Sequence, residues 1–382
     1  MTEKVCAAQC DNYDYMRLRR AVESLLEPLG GLEAFVGKGE RVLLKPNMLA
    51  AKPPEAAVTT HPALVRVVAD MAREVGCEVM VGDSPGLGGF RRVAERSGIW
   101  QAALESGARL VPFDDTVEIR GSGTFKRLDL ARAYWEADKI INLPKLKTHE
   151  MMTMTCAVKN LFGAVVGTEK AAWHLKAGTS REHFARLLLE IYLLKRPVLN
   201  IVDGILAMEG NGPGNGDPLK FGVLIAGENP VAVDVIAAHV AGIPGGLLHV
   251  EREAARMGLA GSRRNEIEVV GAPLEMTTKH PFRLPSGLDV QFGLPRFLKD
   301  GLRNHLMARP VANLERCRLC GACSDACPPT AIAIKNSALS IDYGRCIRCW
   351  CCRELCPHDA MELRRGWLLK AVTSLRKGRR GC

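Results

Sequence analysis

No apolar run in this 382-residue chain is long enough to cross a bilayer. The opening Met-Thr-Glu-Lys-Val-Cys has no basic segment followed by an apolar stretch, so it does not read as a secretory signal. The chain contains no Walker loop, no nucleophile elbow and no zinc-protease motif, so the chemistries those motifs carry are not expected. Acid is absent from the tail. From Arg364 to Cys382 there are seven Lys and Arg residues and no Asp or Glu, within a formal net charge of +10 for the whole chain. No nucleic-acid-binding module accompanies that charge, so nucleic acid is not an expected partner. The tail reads as a solvated segment or as a docking surface for lipid headgroups or an acidic redox partner.

Cysteine, by contrast, is plentiful. Of 14 cysteines, eight fall in two runs of C-x2-C-x2-C-x3-C-P: Cys317, Cys320, Cys323, Cys327 with Pro328, and Cys346, Cys349, Cys352, Cys356 with Pro357. Three thiolates from one tight loop can grip three irons of a cube, and in this spacing the fourth ligand comes from the other run. One [4Fe–4S] cluster is therefore expected on Cys317, Cys320, Cys323 and Cys356, and a second on Cys346, Cys349, Cys352 and Cys327. Such crossing makes folding of the block depend on metal. Zinc also accepts four thiolates, but zinc ribbons pair two separated C-x2-C knuckles, not triplets closed by Cys-Pro. Cluster thiolates need a reducing compartment, which predicts a cytoplasmic protein. The other six cysteines (Cys6, Cys10, Cys77, Cys156, Cys351 and Cys382) read as ordinary buried or terminal thiols. Cys351, inside the second loop, reads as a non-ligand packed near a cluster.

The block is an internal repeat, in which Cys-Pro-Pro-Thr-Ala-Ile-Ala-Ile from Cys327 aligns with Cys-Pro-His-Asp-Ala-Met-Glu-Leu from Cys356. A short strand is expected over Ala338 to Asp342. From about Asn313 to Leu363 the residues resemble the bacterial two-cluster ferredoxin family, and no ligand position departs from its pattern.

The long N-terminal region alternates short apolar runs with amphipathic stretches. Strands are expected at Arg41–Pro46, Glu78–Gly82, Lys139–Leu143, Val198–Val202, Phe221–Ala226 and Ile267–Val270, with helices at Pro62–Val75 and Ala232–Val240. This predicts the α/β class: a mostly parallel sheet with helices on both faces, joined to a small α+β ferredoxin-like two-cluster domain. The expected division is 1–273 for the α/β domain, 274–310 for a linker with an amphipathic helix at Arg296–Met307, 311–363 for the ferredoxin domain and 364–382 for the basic tail.

Polar clusters sit at or just past the expected strand ends: Lys45-Pro46-Asn47, Gly82-Asp83-Ser84, Asn142 to His149, and Asp203-Gly204. Ligands of open parallel sheets bind beyond the carboxyl ends of the strands, so these segments are expected to meet in one crevice. Lys145, Lys147, His149 and Lys159 would offer ammonium and imidazolium groups to a carboxylate or phosphate; the alternative is plain surface charge. His149, Lys147 and Lys159 are the expected catalytic residues. Lys45, Asn47, Asp83, Lys145, Asn160, Asp203 and Glu209 are the expected binding residues. The acids have alternatives as turn formers, caps or ligands of a divalent cation with His149 or His61. Asp234, near an expected helix start, reads as structural. The stretch Gly210 to Gly216 could wrap an anion or serve as a loop, but a strand follows it, so it is no dinucleotide fingerprint.

Lys45-Pro-Asn47, Asn142-Leu-Pro-Lys145-Leu-Lys147-Thr-His149, Lys159-Asn160-Leu-Phe-Gly163, Asp203-Gly-Ile and Met208-Glu209-Gly-Asn-Gly-Pro213 together resemble the iron–sulfur family called domain of unknown function 362. The resemblance covers roughly residues 5 to 270. It implies the fold and the place of the pocket, and a ferredoxin block like that of several members, without a particular reaction. The expected function is an iron–sulfur oxidoreductase that passes electrons through two [4Fe–4S] clusters to a small anionic substrate or bound cofactor, with an electron donor or acceptor protein as partner; the sequence does not specify a second cofactor. The alternatives are a non-enzymatic electron carrier or maturation partner, and a non-redox enzyme with structural or sensory clusters.

Overall fold

Side-chain alternation along the strands layers the larger domain. In the strand Arg41–Pro46, Val42 and Leu44 pack into one apolar cluster and Leu43 into another on the opposite face. The first cluster is covered by the helices Tyr15–Leu26, Pro62–Val75, Phe90–Arg96 and Ile99–Glu105. The other face is covered by Arg181–Leu194, Pro230–Val240 and His249–Arg256. The computed structural model describes residues 2–86, 89–167, 169–170, 173–174, 180–271, 281–285, 309–335 and 337–364.

The strands are β1 (Glu3–Gln9), β2 (Arg41–Pro46), β3 (Glu78–Val81), β4 (Arg109–Leu110), β5 (Thr116–Arg120), β6 (Arg127–Ala131), β7 (Lys139–Leu143), β8 (Lys145–His149), β9 (Thr153–Thr155), β10 (Leu199–Glu209), β11 (Asp217–Gly227) and β12 (Ile267–Gly271). The main sheet runs β12-β1-β11-β10-β7-β2-β3-β4, with β8 beside β10 and β9 beside β8. Its pairs are parallel except β1–β11, β10–β11 and β8–β9. β5 and β6 form a separate hairpin. This is the expected α/β architecture, with helices on both faces.

Two local expectations change. The run Lys145 to His149 was expected beyond a strand end, yet it is strand β8, parallel to β10. Pro144 has no N–H to give a ladder, so it parts β7 from β8, while its carbonyl still accepts from the Asp203 N–H at 2.9 Å. Asp203-Gly204 was also expected past a strand end, but β10 runs on to Glu209 and its register shifts between Gly204 and Leu206. A bulge there absorbs the irregularity without ending the strand. The glycine-rich stretch is the connection between β10 and β11.

The smaller domain pairs β13 (Arg309–Ala312) with β16 (Met361–Arg364), and β14 (Ile332–Lys335) with β15 (Ala338–Ile341). Its first described strand starts at Arg309, within the expected linker. Its repeat is visible in the backbone. Leu319 and Arg348, Gly321 and Trp350, and Thr330 and Asp359 all have positive φ, and each pair holds matching places in the two cysteine runs. Trp350, at φ 65, occupies a conformation for which its counterpart Gly321 carries no steric penalty. The Trp350 side chain is buried in the apolar cluster of the larger domain that includes Phe184 and Leu188. The amphipathic helix expected at 296–307 and the basic tail from 365 onward lie outside the described residues.

Candidate functional site

A cavity of about 480 Å³ lies between the two domains. The larger domain lines it with Asn47, Asp83, Lys147, His149, Lys159 and Asn160, all singled out from the sequence. Lys170, His174, Phe162 and Ser84 join them. Cys320, Ala322, Asp325, Ala326, Cys351 and Leu355 of the smaller domain form the facing wall.

Four asparagines in hydrogen-bond contact hold the floor. Asn200 donates to the Gly227 and Glu228 carbonyls, each at 3.0 Å, and its Oδ1 accepts from Asn142 Nδ2 at 2.9 Å. Asn142 Oδ1 accepts from Asn160 Nδ2 at 2.8 Å. Asn160 Nδ2 also reaches the Lys45 carbonyl at 3.1 Å, and its Oδ1 accepts from Asn47 Nδ2 at 2.9 Å. Asn47 Oδ1 in turn accepts from Lys147 Nζ at 2.9 Å, and the same ammonium donates to the Val58 carbonyl at 2.6 Å. Each amide has its orientation fixed by its neighbours, so Lys147 is held by a rigid chain of bonds that starts in the sheet.

Two buried ion pairs support the site. Lys45 Nζ lies 2.8 Å from Asp83 Oδ1, and Asp83 Oδ2 accepts from the Met48 N–H at 2.8 Å. Burial lowers the Lys45 pKa and the Asp83 carboxylate opposes that shift. A Cβ on Gly163 would lie 2.0 Å from Asp83 Oδ1, so only glycine lets this turn pass the pair. Lys145 Nζ lies 2.7 Å from Asp203 Oδ2, in a second pair that does not line the cavity. Asp203 also accepts from Tyr13 OH at 2.6 Å and from the His61 N–H at 2.8 Å. His61 stacks on Tyr13 with ring centroids 3.5 Å apart and caps the helix Pro62–Val75. Both carboxylates therefore serve ammonium groups, where the sequence left metal coordination open. Lys145 and Asp203, expected in the crevice, form a buried pair outside its lining.

Glu209 does not line the cavity either. Its carboxylate pairs with Arg283, 2.6 Å from Nε, at the far end of β10. Asp234 accepts from the Ala157 and Val158 N–H groups at 2.6 and 3.3 Å and so caps the short helix Ala157–Asn160. Lys159 stands near the end of that helix, with Nζ 5.8 Å from the Phe162 ring centroid and 5.9 Å from that of Phe184, distances suited to cation–π attraction.

Burial alters the titration of the lining groups. His149 was expected to offer an imidazolium, but burial, reinforced by Lys159 and the other cations around it, drives its pKa well below the usual histidine range. Its Nδ1 accepts from the Met151 and Met152 N–H groups at 3.0 and 3.2 Å, which places the ring proton on Nε2. His174 stacks on Phe184 with centroids 4.3 Å apart and is pushed down to about 3 by burial and Lys159. Lys170 donates to the Ser84 carbonyl. Its pKa falls to about 7, first through burial; Asp83 opposes the shift, and Lys45 and Lys159 add to it. Lys170 and His174 lie outside any periodic pattern and gave no sequence signal. Phe162 lay within the quoted Lys159–Gly163 motif.

In the smaller domain, Cys317, Cys320, Cys323 and Cys356 line one hollow. Cys327, Cys346, Cys349 and Cys352 line another. Each hollow takes three cysteines from one run and the fourth from the other, an arrangement of thiols that fits a four-iron cube. The Ala331 N–H donates to Cys327 Sγ and the Ala360 N–H to Cys356 Sγ, each at 3.2 Å, so both fourth cysteines carry the same backbone hydrogen bond. Cys320 lines both its own hollow and the large cavity.

A family model described as domain of unknown function (DUF362) matches residues 42–239, and one described as a 4Fe-4S dicluster domain matches residues 309–357. Over 305 residues the chain is 36% identical to the thylakoid-associated protein sll1697 of Synechocystis sp. (strain PCC 6803), covering 80% of this chain and 95% of that protein. The lactate racemase apoprotein of Thermoanaerobacterium thermosaccharolyticum overlaps it with a TM-score of 0.41 at 10% identity, over 63% of this chain and 57% of that one. A Thermotoga maritima protein overlaps with a TM-score of 0.37 at 12% identity, over 66% of this chain and 61% of that one. The chain thus spans less than two thirds of either solved structure.

Proposed function

Because the chain belongs to the DUF362 family and carries an iron–sulfur-binding, ferredoxin-type domain, we propose that it is an oxidoreductase in which two [4Fe–4S] clusters feed electrons to a small anionic substrate, or to a bound cofactor, in the interdomain cavity. The observation that carries this reading is Cys320, a residue of one cysteine hollow that also lines the cavity. Cys317, Cys320, Cys323 and Cys356 would hold the cluster nearer the cavity, and Cys327, Cys346, Cys349 and Cys352 the farther one. When bound, each cluster supplies one electron at a time. Reduction of one π bond consumes two electrons and two protons, and leaves a single bond with one new hydrogen at each end.

Lys147, Lys159 and Lys170 bind and orient the anion. The cavity volume of about 480 Å³ lies within the usual range for small-molecule sites. His149 stays neutral and presents its Nε2–H as a hydrogen-bond donor to the negative charge that develops on the substrate, while both protons are drawn from solvent water. The partner is an electron-donor protein that reaches the farther cluster. Cytoplasmic residence is part of this reading. Among the described residues no helix is long and apolar enough to cross a membrane, and the basic tail would supply contact with an anionic surface, in keeping with a relative whose name is thylakoid-associated.

The test is anaerobic. Protein reduced with dithionite and freed of excess reductant is mixed with a panel of small anions while the visible absorbance of the clusters is followed. Reoxidation by an anion, and its loss in His149→Phe, is the expected result. Clusters that stay reduced against every anion, yet are oxidised by a protein fraction, would replace this reading with that of an electron carrier.

A further inference from the structure

The two walls of the cavity differ in charge. The larger domain contributes Lys147, Lys159 and Lys170 beside apolar Met48, Leu49, Phe162 and Pro213. The smaller domain contributes Ala322, Ala326, Leu355 and two sulfurs, with Asp325 as its one acid among the described lining residues. A cube held by four thiolates is itself negative overall, so both Asp325 and a cluster on Cys320 repel an anion from that wall. Apolar surface there favours an uncharged group instead.

We infer that the cavity takes an amphipathic anion in one orientation: its carboxylate or phosphate against the three lysines, and an apolar, conjugated arm against Ala322, Ala326 and Leu355. Conjugation rests on the oxidoreductase reading above, since an arm that accepts single electrons needs a low-lying π system. The head and the arm follow from the walls alone. The head group must also share space with His149 and His174, which burial keeps neutral, and with Asp83, which Lys45 already neutralises. Anion selection therefore falls to the lysines.

Calorimetry on the oxidised holoprotein, without reductant, separates binding from electron delivery. The probes are trans-cinnamate and cinnamyl phosphate (head and arm), cinnamyl alcohol (arm alone), and acetate and inorganic phosphate (head alone). At least one of the first two binds tenfold or more tighter than the alcohol and than its own bare head group, and the better of the two identifies the head. Lys170→Met removes most of that preference and leaves the alcohol unchanged; Leu355→Asp weakens both cinnamyl anions more than acetate. Visible absorbance confirms that each variant keeps its clusters. Equal binding of alcohol and acids, no binding of any probe, or bare head groups as tight as the full anions overturns the proposal. If cinnamate binds as expected but does not reoxidise reduced clusters, the oxidoreductase reading loses support while the two-ended site stands.

Discussion

Arg353 is ion-paired with Glu150, the residue that follows His149 in the chain. Both side chains are buried. Arg353 lies in the short helix Cys351–Glu354, directly after Cys352 and three residues before Cys356. The pair therefore ties the end of the second cysteine run, whose Cys352 and Cys356 line different hollows, to the end of β8, and with it to the imidazole that faces the cavity.

Breaking that pair on one side should be worse than removing it. Glu150→Gln leaves a buried guanidinium without its carboxylate, at a cost of about 3–5 kcal/mol. The double variant Glu150→Gln with Arg353→Met should recover much of the loss. Thermal melts followed through cluster absorbance in a double-mutant cycle check this, and additive losses would show that the two side chains do not depend on each other.

Cysteine replacement should show the crossing. Cys356→Ser lies in the second run but should remove the cluster of the first, lowering iron from about eight to about four per chain. Electron paramagnetic resonance of the reduced protein would lose the splitting that arises between two neighbouring clusters. Loss of the cluster on Cys346, Cys349 and Cys352 instead would mean that each run holds its own.

Anion affinity should fall as the pH rises through about 7, where Lys170 loses its proton. Its folded pKa lies below that of the unfolded chain, so its charged form disfavours folding. That unfavourable contribution is fully present below about pH 7 and fades as the pH rises toward the ordinary lysine value. Affinity and stability thus respond to this group in opposite directions. His149 and His174 are already neutral across this window. Titration of binding against pH in wild type and in Lys170→Met checks the assignment, which a persistent step in the variant would refute.

Asn160→Ala should weaken the larger domain by about 3 kcal/mol or more, because it leaves buried partners in Asn142, Asn47 and the Lys45 carbonyl unsatisfied. Lys147, at the end of that chain, should lose its fixed position, so anion affinity should fall even though Asn160 carries no charge. Denaturant unfolding of the variant, read together with cinnamate affinity, tests both parts.

The grouping of the eight cysteines into two crossed sets, the strand and helix at Arg41–Pro46 and Pro62–Val75, and the meeting of Asn47, Lys147 and Asn160 were legible in the sequence. Local spacing or periodicity carries each of those signals. The sequence also contained one that was misread: Lys145, Lys147 and His149 alternate with Leu146 and Thr148, the period of a strand, but the run was read as a polar cluster past the end of the strand Lys139–Leu143. Long-range partnerships were not legible. The Lys45–Asp83 pair joins residues 38 apart and the Tyr13–Asp203 bond residues 190 apart, and no local pattern announces either. Glu209 looked like a site residue as one of the acids that could match the cations, within the Met208–Pro213 motif, yet Arg283, from a segment with no recognisable pattern, takes its carboxylate.

Cys320 belongs at once to a cysteine hollow and to the wall of the cavity. Exposure to air would therefore damage more than electron supply. A cube lost to dioxygen would release Cys320 as a bare thiol and slacken the loop that carries Ala322 and Ala326, so the pocket would lose its shape along with its current. Ligand affinity measured on aerobically handled samples would then report the extent of oxidation as much as the chemistry of the ligand.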